Sequence, residues 1–285
     1  MAGLLSGLDS LGLGGLENMN IFEKDQSAGS NEARKESQKA LEKDLLYDRS
    51  YECPVCSNKF TVKTIRVGKT KLLSTDMDLR PKYENIDLVK YDVVLCPRCG
   101  YAALTRYYQQ LMDSQIKLIK QNISTKVTLR NYDNDTYSYE EAIERYKLAL
   151  VCAIVKRAKD SEKAYLCLKS AWLLRGYQEE LAADPTSSAE QYQKLQEEEH
   201  NYLTNAFDGF IEARKKEPFP MCGMDETTVD YLLCVLAFQF RKFDVASRMI
   251  AAILTSPTAN SRMKDKTREL KAIIVEEIKR SKKLS

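Results

Sequence analysis

Two periods of apolar and polar residues divide the chain, and they predict two kinds of secondary structure. Before residue 102, short apolar runs indicate three β-strands: Phe60–Val67, Lys71–Leu73 and Val89–Leu95. Gly68 lies between the first two runs and predicts a turn, with the second run returning along the first. From Tyr101 onward, apolar residues recur every three or four positions, which is typical of helices that pack on a core.

A small–large–small pattern at positions i, i+4 and i+7 occurs three times in the helical part. Small residues let two helices approach closely while the large residue fills the gap between them. This arrangement is typical of tetratricopeptide-like helical pairs, although an ordinary helical bundle would also produce it. The three sets are Ala142/Tyr146/Ala149, Ala164/Leu168/Ala171 and Ala206/Phe210/Ala213.

The same periodicity sets expected helix boundaries. A first helix is predicted from Tyr101 to about Lys126, and Ser138 with Glu141 three residues later predicts an N-terminal cap. Towards the end of the chain, a helical pair is expected over Thr227–Leu254 and a last, highly charged helix over Asn260–Lys283.

Two Cys-Pro-x-Cys pairs, which we call knuckles, carry the most specific chemistry in the sequence. They are Cys53–Cys56 and Cys96–Cys99, and Gly100 after the second pair is suited to a left-handed turn. Four thiolates in two such pairs form the ligand set of a closed tetrahedral metal site. Sulfur ligands favour one Zn²⁺ per chain, with iron as the alternative metal. A redox-active dithiol, or buried cysteines without metal, are the remaining interpretations.

A long insertion separates the inner cysteines. Paired acidic residues beside an arginine predict that this loop is fixed by charge-assisted hydrogen bonds, or that it supports the metal ligands from behind. A binding surface or a site for a hard cation is the alternative, but two carboxylates are few for such a site. The candidate residues are Asp76, Asp78, Arg80 and Tyr83.

Composition places these elements in an α+β, mostly α chain with three parts. We expect a flexible segment rich in leucine and glycine over 1–45, a zinc-ribbon-like β module over 46–101 and a tetratricopeptide-like helical domain over 102–285. Charged residues make up 30 % of the chain and hydrophobic ones 44 %, which indicates a soluble globular protein. No apolar run is long enough to span a membrane, and the leucine-rich start lacks the basic residues of a secretory signal. Eight cysteines could form a disulfide framework, but the spacing of the two Cys-Pro-x-Cys pairs favours a metal site in a reducing cytoplasm instead.

The sequence gives little support for enzymatic activity. His200 is the single histidine, no Ser/His/Asp set can be built around it, and no phosphate-binding glycine loop is present. A site closed by four sulfur ligands leaves no open position for metal-assisted hydrolysis. Cys152, Cys167 and Cys234 lie in helical patterns and are expected in the core, whereas Cys222 has no assigned role.

The order of these motifs resembles the bacterial family known as domain of unknown function 2225. The resemblance is carried by the knuckle Cys53–Cys56, the stretch Asp76–Tyr83 and the knuckle-containing stretch Tyr91–Ala102, and it extends over Leu46 to Arg280. It implies a zinc site and a helical tail but no assigned activity.

Three functions follow as hypotheses. The first is a non-enzymatic adaptor whose helical domain binds a protein or peptide, with Trp172 and Arg175 on one helix face as candidate contacts. The alternative is that Trp172 is a core residue and that Arg175 forms a structural ion pair. The second is nucleic-acid binding by basic residues of the metal module, with Tyr91 or Tyr101 stacking on bases. The third is thiol redox chemistry. The basic candidates are Lys63, Arg66, Lys69, Lys71 and Arg98.

Overall fold

The computed structural model describes residues 41–129, 134–183 and 188–284. Small antiparallel strand pairs come first and long helices follow, which confirms the α+β, mostly α class. The flexible segment predicted over 1–45 falls mainly on residues 1–40, outside the described residues. Within the described part, Glu42–Leu45 forms a 3₁₀ helix and Leu45 is buried beside Ile86.

The β part consists of three separate two-stranded antiparallel sheets. Strand β1 pairs with β2 along its whole length, from Leu46 opposite Ile65 to Glu52 opposite Lys59. The other pairs are β3 with β4 and β5 with β6, each only three or four residues long. The strands are β1 (Leu46–Glu52), β2 (Lys59–Ile65), β3 (Leu72–Thr75), β4 (Pro81–Tyr83), β5 (Val93–Leu95) and β6 (Ala102–Leu104).

The expected pairing of the second strand with the first is wrong. A 3₁₀ turn at Val67–Lys69 leads the chain away from β2, whose neighbour is β1. Strand β3 pairs instead with β4, and the loop from Asp76 to Arg80 closes this hairpin with two backbone hydrogen bonds. The predicted strand over Val89–Leu95 is also shorter, since Leu88–Tyr91 is a 3₁₀ helix.

The predicted first helix is wrong in its first half. Residues Ala102–Leu104 form strand β6, because the second knuckle is the turn of a β-hairpin and sets these residues opposite β5. The first α-helix begins at Asp113 and continues into a π-helical turn at Lys120–Ser124. The apolar spacing of Leu104 and Tyr108 resembles a helical period, but both side chains are buried around the knuckle hairpin.

The later helices agree with the expected pattern. Ser138 caps its helix through a hydrogen bond from the Glu141 amide, 3.2 Å long. The predicted helical pair and the last charged helix are present, with a turn at Arg241 between the paired helices. The helices are α1 (Asp113–Ile119), α2 (Tyr139–Val155), α3 (Asp160–Ala183), α4 (Ala189–Lys216), α5 (Glu226–Gln239), α6 (Phe243–Thr255) and α7 (Ser261–Leu284).

Helix α3 lies between α2 and α4 and provides the centre of the helical core. All nine residues of the small–large–small sets are buried, so these positions are helix-packing positions as expected. At one crossing, a Cβ atom added to Gly209 would lie 2.8 Å from Cβ of Ala164, which shows how closely α3 and α4 approach. The tetratricopeptide-like class of this packing stays a prediction.

The β part and the helical part pack directly on each other. The β5–β6 hairpin lies on α2, where the Tyr146 hydroxyl donates to the Val89 carbonyl at 3.0 Å. The Lys169 ammonium on α3 pairs with Asp92 at 2.5 Å. These contacts make the chain from Leu41 onward one compact unit, although the expected boundary at residue 102 stays a prediction.

Candidate metal centre

The two knuckles have the same backbone geometry. In each, the first cysteine accepts a hydrogen bond at its carbonyl from the amide four residues later, from Ser57 to Cys53 at 2.8 Å and from Gly100 to Cys96 at 3.1 Å. Both amides belong to residues in the left-handed region, with φ of 57° and 71°. The turn predicted at Gly100 is therefore confirmed, and Ser57 adopts the same conformation without being glycine.

The knuckles bring four sulfur atoms into one cluster. The Cys53 and Cys99 sulfurs are 3.6 Å apart, as are those of Cys56 and Cys96, and all four lie within 4.8 Å of one another. A disulfide would require about 2.05 Å. A tetrahedral ion with zinc–sulfur bonds of about 2.3 Å would place its ligand sulfurs about 3.8 Å apart. The cluster therefore fits a metal ion with four thiolate ligands.

Burial and crowding make the cluster unfavourable for several negative charges without a cation. Cys53, Cys96 and Cys99 are buried and Cys56 is half-buried. Hydrogen bonds from Cys96 and Cys99 lower the pKa of Cys53 far below its usual range. The contact with Cys53 raises the pKa of Cys96 to about 11 and raises that of Cys99 further. A bound cation would remove this penalty and favour all four thiolates.

Tyr108 provides a polar group beside the sulfurs. Its ring is fully buried and stacks on Tyr101 at 4.9 Å between ring centroids. Its hydroxyl has no hydrogen-bond partner among the described side chains. Burial, followed by the neighbouring Cys53 sulfur, raises the pKa of Tyr108. If the cluster holds a metal ion, the Cys53 thiolate would be an acceptor for this hydroxyl, as is common behind metal ligands.

The remaining cysteines are buried in the protein interior, as expected for Cys152, Cys167 and Cys234. Cys152 on α2 contacts the second knuckle, because its sulfur accepts from the Ala102 amide at 3.5 Å. Cys222, for which the sequence predicts no role, donates to the Ser161 carbonyl at 3.2 Å in the loop between α4 and α5.

The hairpin loop between β3 and β4 makes charged contacts with α3, and the loop-fixing role expected for its residues stays a prediction. The structure places Asp76 and Asp78 against Arg175 on α3, at 3.4 Å and 2.9 Å. Arg175 also donates to Glu199 on α4 at 2.8 Å. The Asp78 side chain is 0 % exposed, so its carboxylate depends on Arg175 for compensation of its charge.

Arg80 makes a second set of contacts to α3. Its guanidinium donates to both oxygens of Glu179 at 3.1 Å and lies 3.5 Å from Asp87, which accepts from the Tyr139 hydroxyl. A Cβ atom at Gly176 would lie 2.6–2.9 Å from these groups, so glycine allows the network to approach the helix. The need for glycine at position 176 was not predicted from the sequence.

Tyr83 lies at the edge of the same region. It pairs with Leu72 across the β3–β4 hairpin and packs on the small cluster that contains Ile86. Arg80 and Tyr83 both line a polar cleft of ≈360 Å³ between the insertion and α3. None of Asp76, Asp78, Arg80 and Tyr83 has a hydrogen bond or ion pair to a cluster cysteine among the described contacts.

Trp172 and Arg175 lie on α3, where the sequence places them together. Trp172 is 5 % exposed and belongs to the main core. Arg175 is 21 % exposed and pairs with Asp76, Asp78 and Glu199. A contact between these residues and a partner stays a prediction.

Several of the basic residues considered for nucleic-acid binding have partners within the chain. Lys63 pairs with Asp48 at 3.1 Å, and Lys71 lies 3.8 Å from Glu84. The stacking role expected for Tyr91 or Tyr101 is wrong, because both are buried. The Tyr91 ring packs on Tyr137, and the Tyr101 ring packs on Tyr108. Arg66 donates to the Leu46 carbonyl, while Lys69 and Arg98 have no ion pair among the described residues.

A groove crosses the helical part, and no sequence motif predicted it. Half of its lining residues are apolar or small, and the other half are charged or amide side chains. Leu150 and Ile154 of α2 form one wall, Tyr202 and Gly209 of α4 form the other, and Cys167 of α3 lies on the floor. Its volume is ≈550 Å³. We call it the α2–α4 groove. A groove of this mixed lining between helices is the kind of surface that accepts an amphipathic peptide helix.

Fold and site together define a class of protein, in which a small β part with a four-cysteine cluster is packed on an all-helical domain. The chain belongs to the family described as an uncharacterized protein conserved in bacteria (DUF2225), which matches residues 46–274. The resemblance to this family is therefore confirmed over most of its expected range. No curated protein and no solved structure matches the chain. Within the described residues, no helix combines the length and apolar character needed to cross a bilayer.

Proposed function

We propose that the four-cysteine cluster holds one structural Zn²⁺ per chain, with Cys53, Cys56, Cys96 and Cys99 as ligands. The observation that supports this proposal is the convergence of four sulfurs within 4.8 Å in a buried site. Thiolate ligands favour zinc over hard cations, and iron is the alternative metal. Because the ligand set is closed, the ion would stabilise the knuckles and leave no position for a substrate.

Elemental analysis of protein purified without added metal tests this proposal. We expect about one zinc per chain, and loss of the metal in a variant in which Cys53 is replaced by serine. Cys167→Ser is the matched control, because Cys167 is a buried cysteine outside the cluster. Stoichiometric iron would replace zinc in the proposal. Absence of both metals would favour the dithiol redox alternative.

For the helical domain, we propose a non-enzymatic adaptor function in the cytoplasm. The α2–α4 groove supports it, since an amphipathic helix or an apolar peptide could place its side chains between the two walls. Ile154 is 57 % exposed on the wall and would become buried by such a partner. All eight cysteines are free thiols, which is compatible with a reducing compartment.

Quantitative affinity capture from the native host tests the adaptor proposal. The bait proteins are the wild type, Ile154→Asp in the groove wall and Val151→Asp as a matched control. Val151 is also exposed on α2 but does not line the groove. We expect a partner that is enriched by the wild type and by Val151→Asp and lost with Ile154→Asp. Equal capture by all three would contradict binding in the groove.

A further inference from the structure

The loop between β2 and β3 exposes aliphatic side chains in an unusual concentration. Within residues 66–73, which we call the 66–73 loop, Val67 is 83 % exposed, Leu72 51 % and Leu73 58 %. Single apolar residues on a surface need no explanation, but a contiguous apolar patch indicates an interaction site. Neither the metal cluster nor the α2–α4 groove includes any residue of this loop.

The backbone holds these side chains outward. Val67–Lys69 forms a 3₁₀ turn, in which the Lys69 amide donates to the Arg66 carbonyl at 2.9 Å. The Thr70 hydroxyl donates to the Val67 carbonyl at 3.2 Å. Strand β3 pairs only with β4 among the described strands, so every residue of β3 is exposed. Seven peptide steps span at most about 25 Å, so the three aliphatic side chains are confined to one short exposed segment, in which Leu73 also borders the polar cleft described above.

Basic residues alternate with the aliphatic ones in the same loop. The Arg66 guanidinium lies over the Tyr47 ring, 5.5 Å from its centroid, and Tyr47 is itself partly exposed. Lys69 has no ion pair among the described residues, and the Lys71 ammonium is 3.8 Å from a Glu84 carboxylate with both side chains largely in solvent. An exposed pair of this length attracts weakly, so Lys71 stays available to another anion.

We propose that the 66–73 loop binds the surface of an anionic lipid bilayer. Val67, Leu72 and Leu73 would enter the boundary between headgroups and acyl chains, while Lys69 and Lys71 would remain among the phosphates. Long basic side chains accommodate this arrangement because their apolar stems can be buried while the charge stays in water.

The chemistry of the loop favours a bilayer over two other occupants. Single-stranded nucleic acid binds through exposed aromatic rings, whereas the exposed apolar side chains of this loop are aliphatic, and the neighbouring Tyr47 ring, which is partly exposed, already stacks with Arg66. A second copy of the chain would bring two loops of the same positive sign together, and like charges at close range repel. An anionic bilayer offers acyl chains to the aliphatic side chains of the loop and negatively charged headgroups to its lysines.

Flotation of the full-length, metal-loaded protein with lipid vesicles tests the proposal. We expect binding to vesicles that contain phosphatidylglycerol, weaker binding at high salt, and little binding to pure phosphatidylcholine. Replacing Lys69 and Lys71 by glutamine should weaken binding roughly 25-fold, because each cation near an anionic surface contributes roughly fivefold. Replacing Val67, Leu72 and Leu73 by serine should weaken it more than tenfold.

Matched controls separate the loop from other apolar surface. Ile273→Ser with Val275→Ser changes two exposed aliphatic residues on α7 and should leave vesicle binding unchanged. All variants keep residues 1–40, so any contribution from the leucines there cancels in the comparison. Circular dichroism and metal content verify that each variant is folded. The proposal is overturned if the wild type does not bind phosphatidylglycerol vesicles, or if the loop variants bind as tightly as the wild type. Selective binding to nucleic acid, or dimerisation that the loop variants abolish, would also overturn it.

Discussion

The β part and the helical part are stabilised in different ways. The helical part has a continuous core in which α3 and α5 are buried along most of their length. In the β part, each sheet has two strands, and most residues of β1 and all residues of β3 are exposed. A two-stranded hairpin is marginally stable by itself. The β part must therefore depend on the sulfur cluster and on its contacts with the helices.

Those contacts are chemically distinct from the core. Two carboxylates of the β3–β4 loop meet Arg175, and Arg80 of the same loop meets Glu179. The four-cysteine cluster and these ion pairs connect segments that are far apart in sequence, whereas helix packing is mainly between neighbours in the chain. Removing one connection at a time should therefore destabilise the β part before the helices.

The largest effect is expected for Cys96→Ser, which removes a fully buried ligand. Structural zinc contributes about 10–16 kcal/mol of apparent binding free energy in small peptides, which exceeds the stability of most small domains. We expect loss of the metal and loss of hydrogen-exchange protection in β1, β2 and β5, with protection retained in α5. In Cys167→Ala, the metal and the protection of the strands should be unchanged. Equal loss of protection in α5 would show that the two parts unfold together.

A smaller effect is expected for Arg175→Met, which leaves the buried Asp78 carboxylate unpaired. Loss of one partner of a buried ion pair costs about 3–5 kcal/mol. Urea unfolding should show a decrease of this size in the free energy of unfolding of Arg175→Met. The double variant that also carries Asp78→Asn should be less destabilised than Arg175→Met alone. If the double variant is the less stable of the two, Asp78 does not depend on Arg175.

What the sequence predicts well is what local spacing determines. The two Cys-x-x-Cys pairs, the left-handed Gly100 and the buried positions of the small–large–small sets depend on residues a few positions apart. The cap at Ser138 is local in the same sense. These features could be predicted because residues within one or two turns of the same backbone segment determine their geometry.

What the sequence does not predict depends on distant partners. Asp76 and Arg175 are 99 residues apart, and no pattern shows that they meet. Strand β2 pairs with β1, which precedes it, and β3 pairs with β4, which follows it, and no local pattern in the sequence distinguishes these pairings from a β2–β3 hairpin. Leu104 and Tyr108 have helical spacing, but the knuckle hairpin between β5 and β6 overrides that local preference. The α2–α4 groove likewise exists only after three helices have packed.

Gly176→Ala tests how closely the insertion must approach α3. Helix propensity alone predicts that alanine stabilises a helix interior by about 1 kcal/mol. The added Cβ would lie 2.6 Å from the Tyr139 hydroxyl and 2.7 Å from Asp87, and overpacking costs about 1–3 kcal/mol. We therefore expect a net decrease of up to about 2 kcal/mol in the free energy of unfolding. Gly68→Ala is the control, because a Cβ atom at Gly68 would meet no atom within 4 Å. This substitution should change the free energy of unfolding by less than about 0.5 kcal/mol. A more stable Gly176→Ala protein would show that the network can move away from the helix.

The smallest effect concerns the pH dependence of the same contact. Burial alone would raise the pKa of Glu179, but hydrogen bonds from Lys82 and Arg80 outweigh it and lower the pKa. A carboxylate with a lowered pKa in the folded state contributes stability above its unfolded pKa of 4.5, and this contribution is lost as the pH falls through the folded value. The Glu179 side chain is 45 % exposed, so the contribution should be below about 1 kcal/mol.

Urea unfolding of the wild type and of Glu179→Gln, each at pH 6 and at pH 3, measures how much the charge of Glu179 contributes to the free energy of unfolding. The wild type should be the more stable protein at pH 6. The difference should shrink towards pH 3, because protonation of Glu179 as the pH falls through its lowered pKa weakens its attraction to Arg80 and Lys82. Both proteins have the same cysteines, so acid-induced loss of metal affects them equally. A stability difference that is constant between the two pH values would mean that Glu179 contributes through packing and not through its charge.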